Sequence, residues 1–273
     1  MAQDVSLTSA MRANLLSLQN TVKLLGRTQE RLATGKKVNS PLDNPTSYFA
    51  AQSHLNRAND LAARKDSMGE AIQTVQSANS GIESITTLIE SAKSIGQAAL
   101  ATSDAAARTK YMTQYNEVLS QIDNMASDSG YRGTNLLGGN TLTVQFNEDG
   151  TSALDLDGFD ATTTGLAIAD GAGWSDAATG TAAINTSLGQ LTDALSTLRG
   201  EASSLSSSLA IIQTRSDWAD QMIATLKEGA SALTDADMNE ESANLLMLQT
   251  RQSLATTALS LSAESAKSIL ELF

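Results

Sequence analysis

Residues 188–233 read LGQLTDALSTLRGEASSLSSSLAIIQTRSDWADQMIATLKEGASAL. Leu188, Leu191, Leu195, Leu198, Ala202, Leu205, Leu209, Ile212, Ser216, Ala219, Ile223, Leu226, Ala230 and Leu233 follow one another in alternating steps of three and four without a slip. That spacing returns to one side of an α-helix every two turns, so the stretch predicts a continuous helix with an apolar seam, about 69 Å long at roughly 1.5 Å per residue. Only Ser216 on the seam is polar. A stripe of this length cannot be buried by its own helix and calls for a second long helix beside it.

Upstream, residues from about 46 to 101 supply that partner, with Leu61, Met68, Ile72, Val75, Ile82, Ile85 and Ile89 in helical register. Ser103 or Asp104 is placed to cap a further helix whose apolar face is Tyr111, Tyr115, Leu119 and Ile122, with an Asp104–Arg108 pair at i,i+4 and Gly130 as its stop. At the N-terminus Met11, Leu15, Leu18, Val22, Leu25 and Leu32 form a shorter seam, interrupted where Gly35, Pro41 and Pro45 disfavour helix. At the other end, Asp237 and Glu240 resemble a capping box, and Met238, Leu245, Leu248, Ala255, Leu259, Ala266 and Ile269 mark a last helix ending near Phe273.

Between the two long seams the period changes. Residues 141–146 alternate polar and apolar, residues 147–150 (NEDG) carry turn chemistry, and Leu154 and Leu156 alternate again, which predicts a β-hairpin. Residues from about 157 to 183 show no period and read as a short, exposed, variable connection. The expected fold is mainly α: an elongated antiparallel helical bundle or coiled coil with a small β-hairpin, its N- and C-terminal helices paired. Residues 1–41 and 235–273 would form a terminal-helix domain, and residues 42–234 a helical domain carrying the hairpin at about 140–157.

Composition narrows the function. The chain has 41% hydrophobic but only 4% aromatic residues, a balance suited to narrow helical bundles. A net charge of -12 disfavours nucleic acid and anionic membrane surfaces. No cysteine is present, which excludes disulfide and thiolate chemistry, and no stretch approaches a membrane span. The first 25 residues lack the basic start and unbroken apolar core of a signal peptide, since Asp4, Arg12 and Asn14 interrupt them. One histidine, His54, without cysteine forms no usual zinc site. The acids Asp235, Asp237, Glu240 and Glu241 read as helix-start capping rather than a cation site. Asn185-Thr186-Ser187 matches a glycosylation sequon but reads better as a helix start. No nucleophile, metal or phosphate constellation is recognisable, so no catalytic residue, cofactor or metal is expected.

Three segments together resemble the flagellin family. They are residues 32–40 (LATGKKVNS) followed by Asp43-Asn44, residues 131–137 (YRGTNLL) leading into the hairpin, and residues 236–243 (ADMNEESA) with 248–252 (LQTRQ) and the closing 268–273 (SILELF). The resemblance implies a minimal member without substantial outer domains, an extracellular subunit that self-assembles into the bacterial flagellar filament. It further implies export by the flagellar type III route without a cleaved signal peptide. An export chaperone, a cap protein and hook-junction proteins are its implied partners. A hook-filament junction protein or a secreted helical adaptor are the competing readings.

Two thin terminal helices bury little on their own, which suggests that they await neighbouring copies while the long seams fold within one chain. The expected assembly interface is Met11, Leu15, Leu18, Val22, Leu25, Leu245, Leu248, Leu259, Ile269, Leu270 and Phe273. Leu16, Leu24, Leu246, Leu254, Leu261 and Leu270 lie off the main seam and supply a second apolar face.

Overall fold

The computed structural model describes residues 9–270. They form α1 (Ser9–Thr34), α2 (Pro45–Leu100), α3 (Ala105–Asp128), β1 (Leu142–Gln145), β2 (Ala153–Leu156), α4 (Gly180–Thr234) and α5 (Met238–Leu270). Two compact units result, a terminal unit of Met1–Asn56 with Thr225–Phe273 and a central unit of Arg57–Ala224. Their boundaries fall inside α2 and α4 rather than at the expected points after residues 41 and 234. Glycine and proline mark where helices stop, and packing does not have to change at the same residue.

In the central unit the expected seams meet in one core. Met68, Val75, Ile82, Ile85 and Ile89 of α2 share it with Tyr115, Leu119 and Ile122 of α3 and with Leu191, Leu198, Leu205 and Ile212 of α4. Ser216, the polar position of the α4 seam, is half-buried. Asp104 caps α3 as expected, accepting from the Ala106 and Ala107 amides at 3.2 Å each. Its expected ion pair with Arg108 gives way to another arrangement. Arg108 is buried, and its guanidinium donates to the Thr102 carbonyl at 2.7 Å and to Thr181 Oγ1 at 3.0 Å. A buried guanidinium needs fixed acceptors close by, and a carbonyl and a hydroxyl supply them. The helix stops at Asp128, with Ser129 as its cap, just ahead of Gly130.

The hairpin forms where the alternation predicts it. Leu142 pairs with Leu156 and Val144 with Leu154, antiparallel, and Gly150 in the turn takes φ +68°, the left-handed region that glycine enters without steric cost. Val144, Phe146 and Leu156 are buried, while Thr143 and Asp155 are exposed and hydrogen-bonded to each other at 2.6 Å.

Residues 157–180 correct the sequence reading. The segment is packed rather than an exposed connection: Ala161, Leu166, Ile168 and Trp174 all join the core. Trp174 is 0% exposed, its ring centroid lies 4.6 Å from that of Tyr115, and its indole N–H donates to Ser187 Oγ at 3.2 Å. Burial pushes the Tyr115 phenol up to about 12. Backbone bonds from Phe159 to Leu136 and from Ala161 to Leu137 tie the segment to the turn before the hairpin, and Asp123 of α3 accepts from both the amide and the hydroxyl of Thr163. The start of α4 moves accordingly. Asp176 is the capping side chain, accepting from the Ala178 and Thr179 amides at 2.7 and 2.9 Å, so residues 185–187 lie inside the helix rather than at its start. Those amides hold the Asp176 carboxyl below its usual pKa.

Candidate assembly surface

The terminal unit is built around a tie between two chain segments far apart in sequence. Gly35 closes α1 in the left-handed conformation (φ +70°), its amide donating to the Arg31 carbonyl at 2.8 Å. Its own carbonyl accepts from the Ala236 amide at 2.9 Å, and the Lys37 amide donates to the Thr234 carbonyl at 2.7 Å, with Lys36 and Asp235 forming an antiparallel bridge. The Lys37 ammonium reaches the Ala232 carbonyl at 3.0 Å, at the end of α4 where the helix dipole favours a cation. The stretch that breaks the periodicity is therefore a fixed junction rather than a loose linker.

The turn that follows is equally determined. One Asp43 carboxylate oxygen accepts from the amides of Asn39 and Ser40 at 3.0 Å each and from Ser40 Oγ at 3.2 Å, and the Ser40 and Asn39 amides hold its pKa below the ordinary value. Asn44 Oδ1 then caps α2 through the Ser47 amide at 3.1 Å, with Pro45 in the first helical position, where its missing N–H costs nothing. Leu42 stands on this turn 96% exposed.

Helices α1 and α5 pack against each other within one chain. Asp237 caps α5 as its half of the expected box, accepting from Asn239 and Glu240 at 2.9 and 3.3 Å. Glu241, almost fully buried, accepts from the Arg31 guanidinium at 2.7 Å. Local spacing rules did not identify this pair, because its partners are 210 residues apart. His54 sits half-buried beside Gly229.

The expected interface residues divide in two. Met11 and Leu248 are buried, and Leu18, Leu25, Leu245 and Leu259 are half-buried, so one chain already covers much of that seam. Leu15 and Val22 remain exposed, together with Leu16, Leu24, Leu246, Met247, Leu254 and Leu261, the last three leucines 65–66% exposed. Ile269 and Leu270 belong to the last turn of α5, their side chains and all of Phe273 lying outside the described residues. The terminal helices are thus already helical and paired in the single chain, and what they lack is cover for their outer leucines. No described helix is long and apolar enough to cross a membrane.

Terminal helices paired within one chain, an otherwise helical core with one small hairpin and an uncovered leucine stripe define a class: mainly α proteins whose first and last helices are joined. The comparisons make the class specific. Residues 5–141 match the family model for the bacterial flagellin N-terminal helical region. The chain is 31% identical to flagellin FljO of Caulobacter vibrioides over 268 residues, 95% of each chain. It is 32% identical to a flagellin of Brucella melitensis over 283 residues, taking in 100% of this chain and 99% of that one. The chain belongs to the bacterial flagellin family and is a structural subunit of the extracellular flagellar filament. A crystal structure of Bacillus cereus flagellin superposes at a TM-score of 0.48 with 14% identity, over 56% of this chain and 88% of that one, and adds nothing to the assignment. Only residues 157–179 separate β2 from α4, which leaves no room for an outer domain and makes this a minimal form.

Proposed function

We infer that polymerisation runs through the outer leucines of the terminal helices, with Leu16 and Leu24 of α1 and Leu246, Leu254 and Leu261 of α5 covered by the terminal helices of neighbouring copies. The observation that carries this reading is their exposure on helices whose opposite face is already occupied. Burying each such leucine contributes roughly 1–2 kcal/mol, and a stripe repeated at every subunit contact offsets the cost of immobilising the chain. Leu15 and Val22 border the same stripe. Ile269, Leu270 and Phe273 join the proposed interface on the sequence pattern alone.

The role is structural rather than enzymatic, and the chain leaves the cell by the flagellar export route without losing a signal peptide. An export chaperone, a cap protein and hook-junction proteins are its partners on the way and at the filament ends. Intact-mass analysis of shed protein tests the export reading, since loss of 15 to 30 N-terminal residues would contradict it. Seeded polymerisation followed by electron microscopy tests the assembly reading: purified chain should extend seeds into filaments, and a chain that stays dimeric with seeds present refutes it.

A further inference from the structure

Three Asp-Gly steps occur in the chain, Asp149-Gly150, Asp157-Gly158 and Asp170-Gly171. Such a step carries a latent reaction of its own backbone. With no Cβ beside it, the glycine nitrogen can reach the aspartate Cγ. The nitrogen–Cγ bond forms, the amide proton and the carboxyl hydroxyl leave as water, and a five-membered succinimide results. Water then opens the ring at either carbonyl. Attack at Cγ restores aspartate. Attack at the main-chain carbonyl breaks its bond to nitrogen and leaves isoaspartate, with the chain running through Cγ and the free carboxylate on Cα. Mass and formal charge are unchanged, and no oxidant or catalyst enters. The reaction needs a free carboxyl, a free amide and a backbone able to turn one onto the other.

The fold withholds those conditions at two of the three steps. The Gly158 amide donates to the Asn140 carbonyl at 3.1 Å, and the Asp157 carboxylate accepts from Thr141 Oγ1 at 3.3 Å. The backbone there is hemmed in, since a Cβ on Gly158 would meet the carbonyl oxygens of Asn140 and Leu136. The Gly171 amide donates to Asn116 Oδ1 at 2.8 Å, the Asp170 carboxylate accepts from the Ala172 amide at 3.3 Å, and a Cβ on Gly171 would meet Met112 at 2.8 Å. Neither step can turn without breaking packed contacts.

The step at the tip of the hairpin differs on each count. Asp149 and Gly150 are both exposed, and among the described residues the Asp149 carboxylate accepts no hydrogen bond. The Gly150 amide makes only a long bond to the Asn147 carbonyl, at 3.4 Å, and a Cβ on Gly150 would touch nothing nearer than the Gln145 side chain at 3.7 Å. That bond is also dispensable. The Asn147 side chain closes the turn by itself, its Oδ1 accepting from the Ser152 amide at 3.1 Å and its Nδ2 donating to Thr151 Oγ1 at 2.6 Å, while the Phe146 amide donates to the Ser152 carbonyl at 2.9 Å. Residue 149 can therefore close its ring, and its lengthened backbone can be taken up at the tip, with β1 and β2 still paired.

We propose that Asp149 is a modification site of the folded chain, converting spontaneously to isoaspartate while Asp157 and Asp170 are protected by their packing. The carboxylate it gains on Cα is the chemical group that an isoaspartyl-directed methyltransferase would esterify. The site lies on the hairpin, away from the leucine stripe of the terminal helices, so the proposal stands apart from the assembly reading.

Purified full-length chain held for weeks in warm, near-neutral buffer tests it, with a matched sample unfolded in urea and a third sample of Asp149→Glu, whose longer side chain cannot form the five-membered ring. Peptide mass spectrometry with electron-transfer fragmentation, which tells isoaspartate from aspartate at equal mass, reads each position. The folded parent should accumulate isoaspartate at residue 149 and at least tenfold less at 157 and 170, the unfolded parent should form it at all three, and folded Asp149→Glu should form none at residue 149. Isoaspartate at 157 or 170 as abundant as at 149 in the folded parent overturns the proposal. So does a folded parent without isoaspartate at 149, whatever the unfolded sample shows.

Discussion

Arg31 of α1 places its guanidinium 2.7 Å from the carboxylate of Glu241, in the first turn of α5, joining the two ends of the chain through a pair whose acidic member is almost out of solvent. Glu241 also stands where the α5 dipole favours an anion, so the carboxylate serves two stabilising contacts at once. Removing Arg31 would leave a nearly buried carboxylate without its counter-ion. Because Arg31 remains about a third exposed, the expected coupling in a double-mutant cycle of Arg31→Met and Glu241→Gln is roughly 1–2 kcal/mol, below that of a fully buried pair. Hydrogen exchange locates the effect. Either variant should speed exchange of amides in the last two turns of α1 and leave residues 188–224 protected, and equal loosening of both regions would contradict the pair's local role.

Trp174 anchors the segment between the hairpin and α4, so its loss should be felt throughout the central unit. Trp174→Ala removes the largest fully buried side chain together with the indole–Ser187 bond, and the expected cost is about 3–5 kcal/mol, read as a lowered urea midpoint. Trp174→Phe keeps much of the volume and should cost less. A Trp174→Ala midpoint unchanged from the parent would mean that residues 157–180 do not support the core.

The turn carrying Leu42 depends on an ionised Asp43. Its folded pKa lies below the unfolded value, so the stabilisation is fully present above the ordinary aspartate pKa near ~3.9 and is lost as pH falls through the depressed folded value. In NMR the amides of Asn39 and Ser40 should keep their bonded shifts at pH 5 and lose them only as pH falls through the depressed folded value, while Asp43→Asn should show the altered shifts already at pH 7. Amide shifts of Asn39 and Ser40 in Asp43→Asn at pH 7 that match those of the parent would contradict the carboxylate's role.

Much of this fold is legible in the sequence because its periods are strict. The 188–233 seam and the alternation of residues 141–146 each admit one placement, since slipping either by one residue would turn its leucines or valines to solvent. The outer leucines of the terminal helices were legible for the same reason, as residues that do not fit the seam. Residues 157–180 were not. There burial is reached through turns closed by Asp160, Asp170 and Asp176, so Leu166, Ile168 and Trp174 point inward at spacings that belong to no regular element. Arg108 misled for a different reason. The i,i+4 rule describes exposed helix surfaces, and this guanidinium is buried, where fixed acceptors outweigh a neighbouring carboxylate.

The central claim is that folding and assembly use different leucines. Leu259, one of the expected interface residues, is half-buried in the single chain, whereas Leu254 and Leu261 are each 65% exposed and Leu205 is 5% exposed. A charge placed at an exposed position stays hydrated in the monomer and becomes unpaired and buried only when a neighbour covers it, at a cost of several kcal/mol. Seeded polymerisation of Leu254→Asp and Leu261→Asp, alongside thermal circular dichroism of the same samples and of Leu205→Asp, measures both sides of the claim. The account predicts that the first two keep the monomer's helix content and melting temperature within a few degrees yet fail to extend seeds, while Leu205→Asp unfolds the monomer itself. Filaments that grow normally from Leu254→Asp and Leu261→Asp, or monomers of these variants that melt as early as Leu205→Asp, would contradict it.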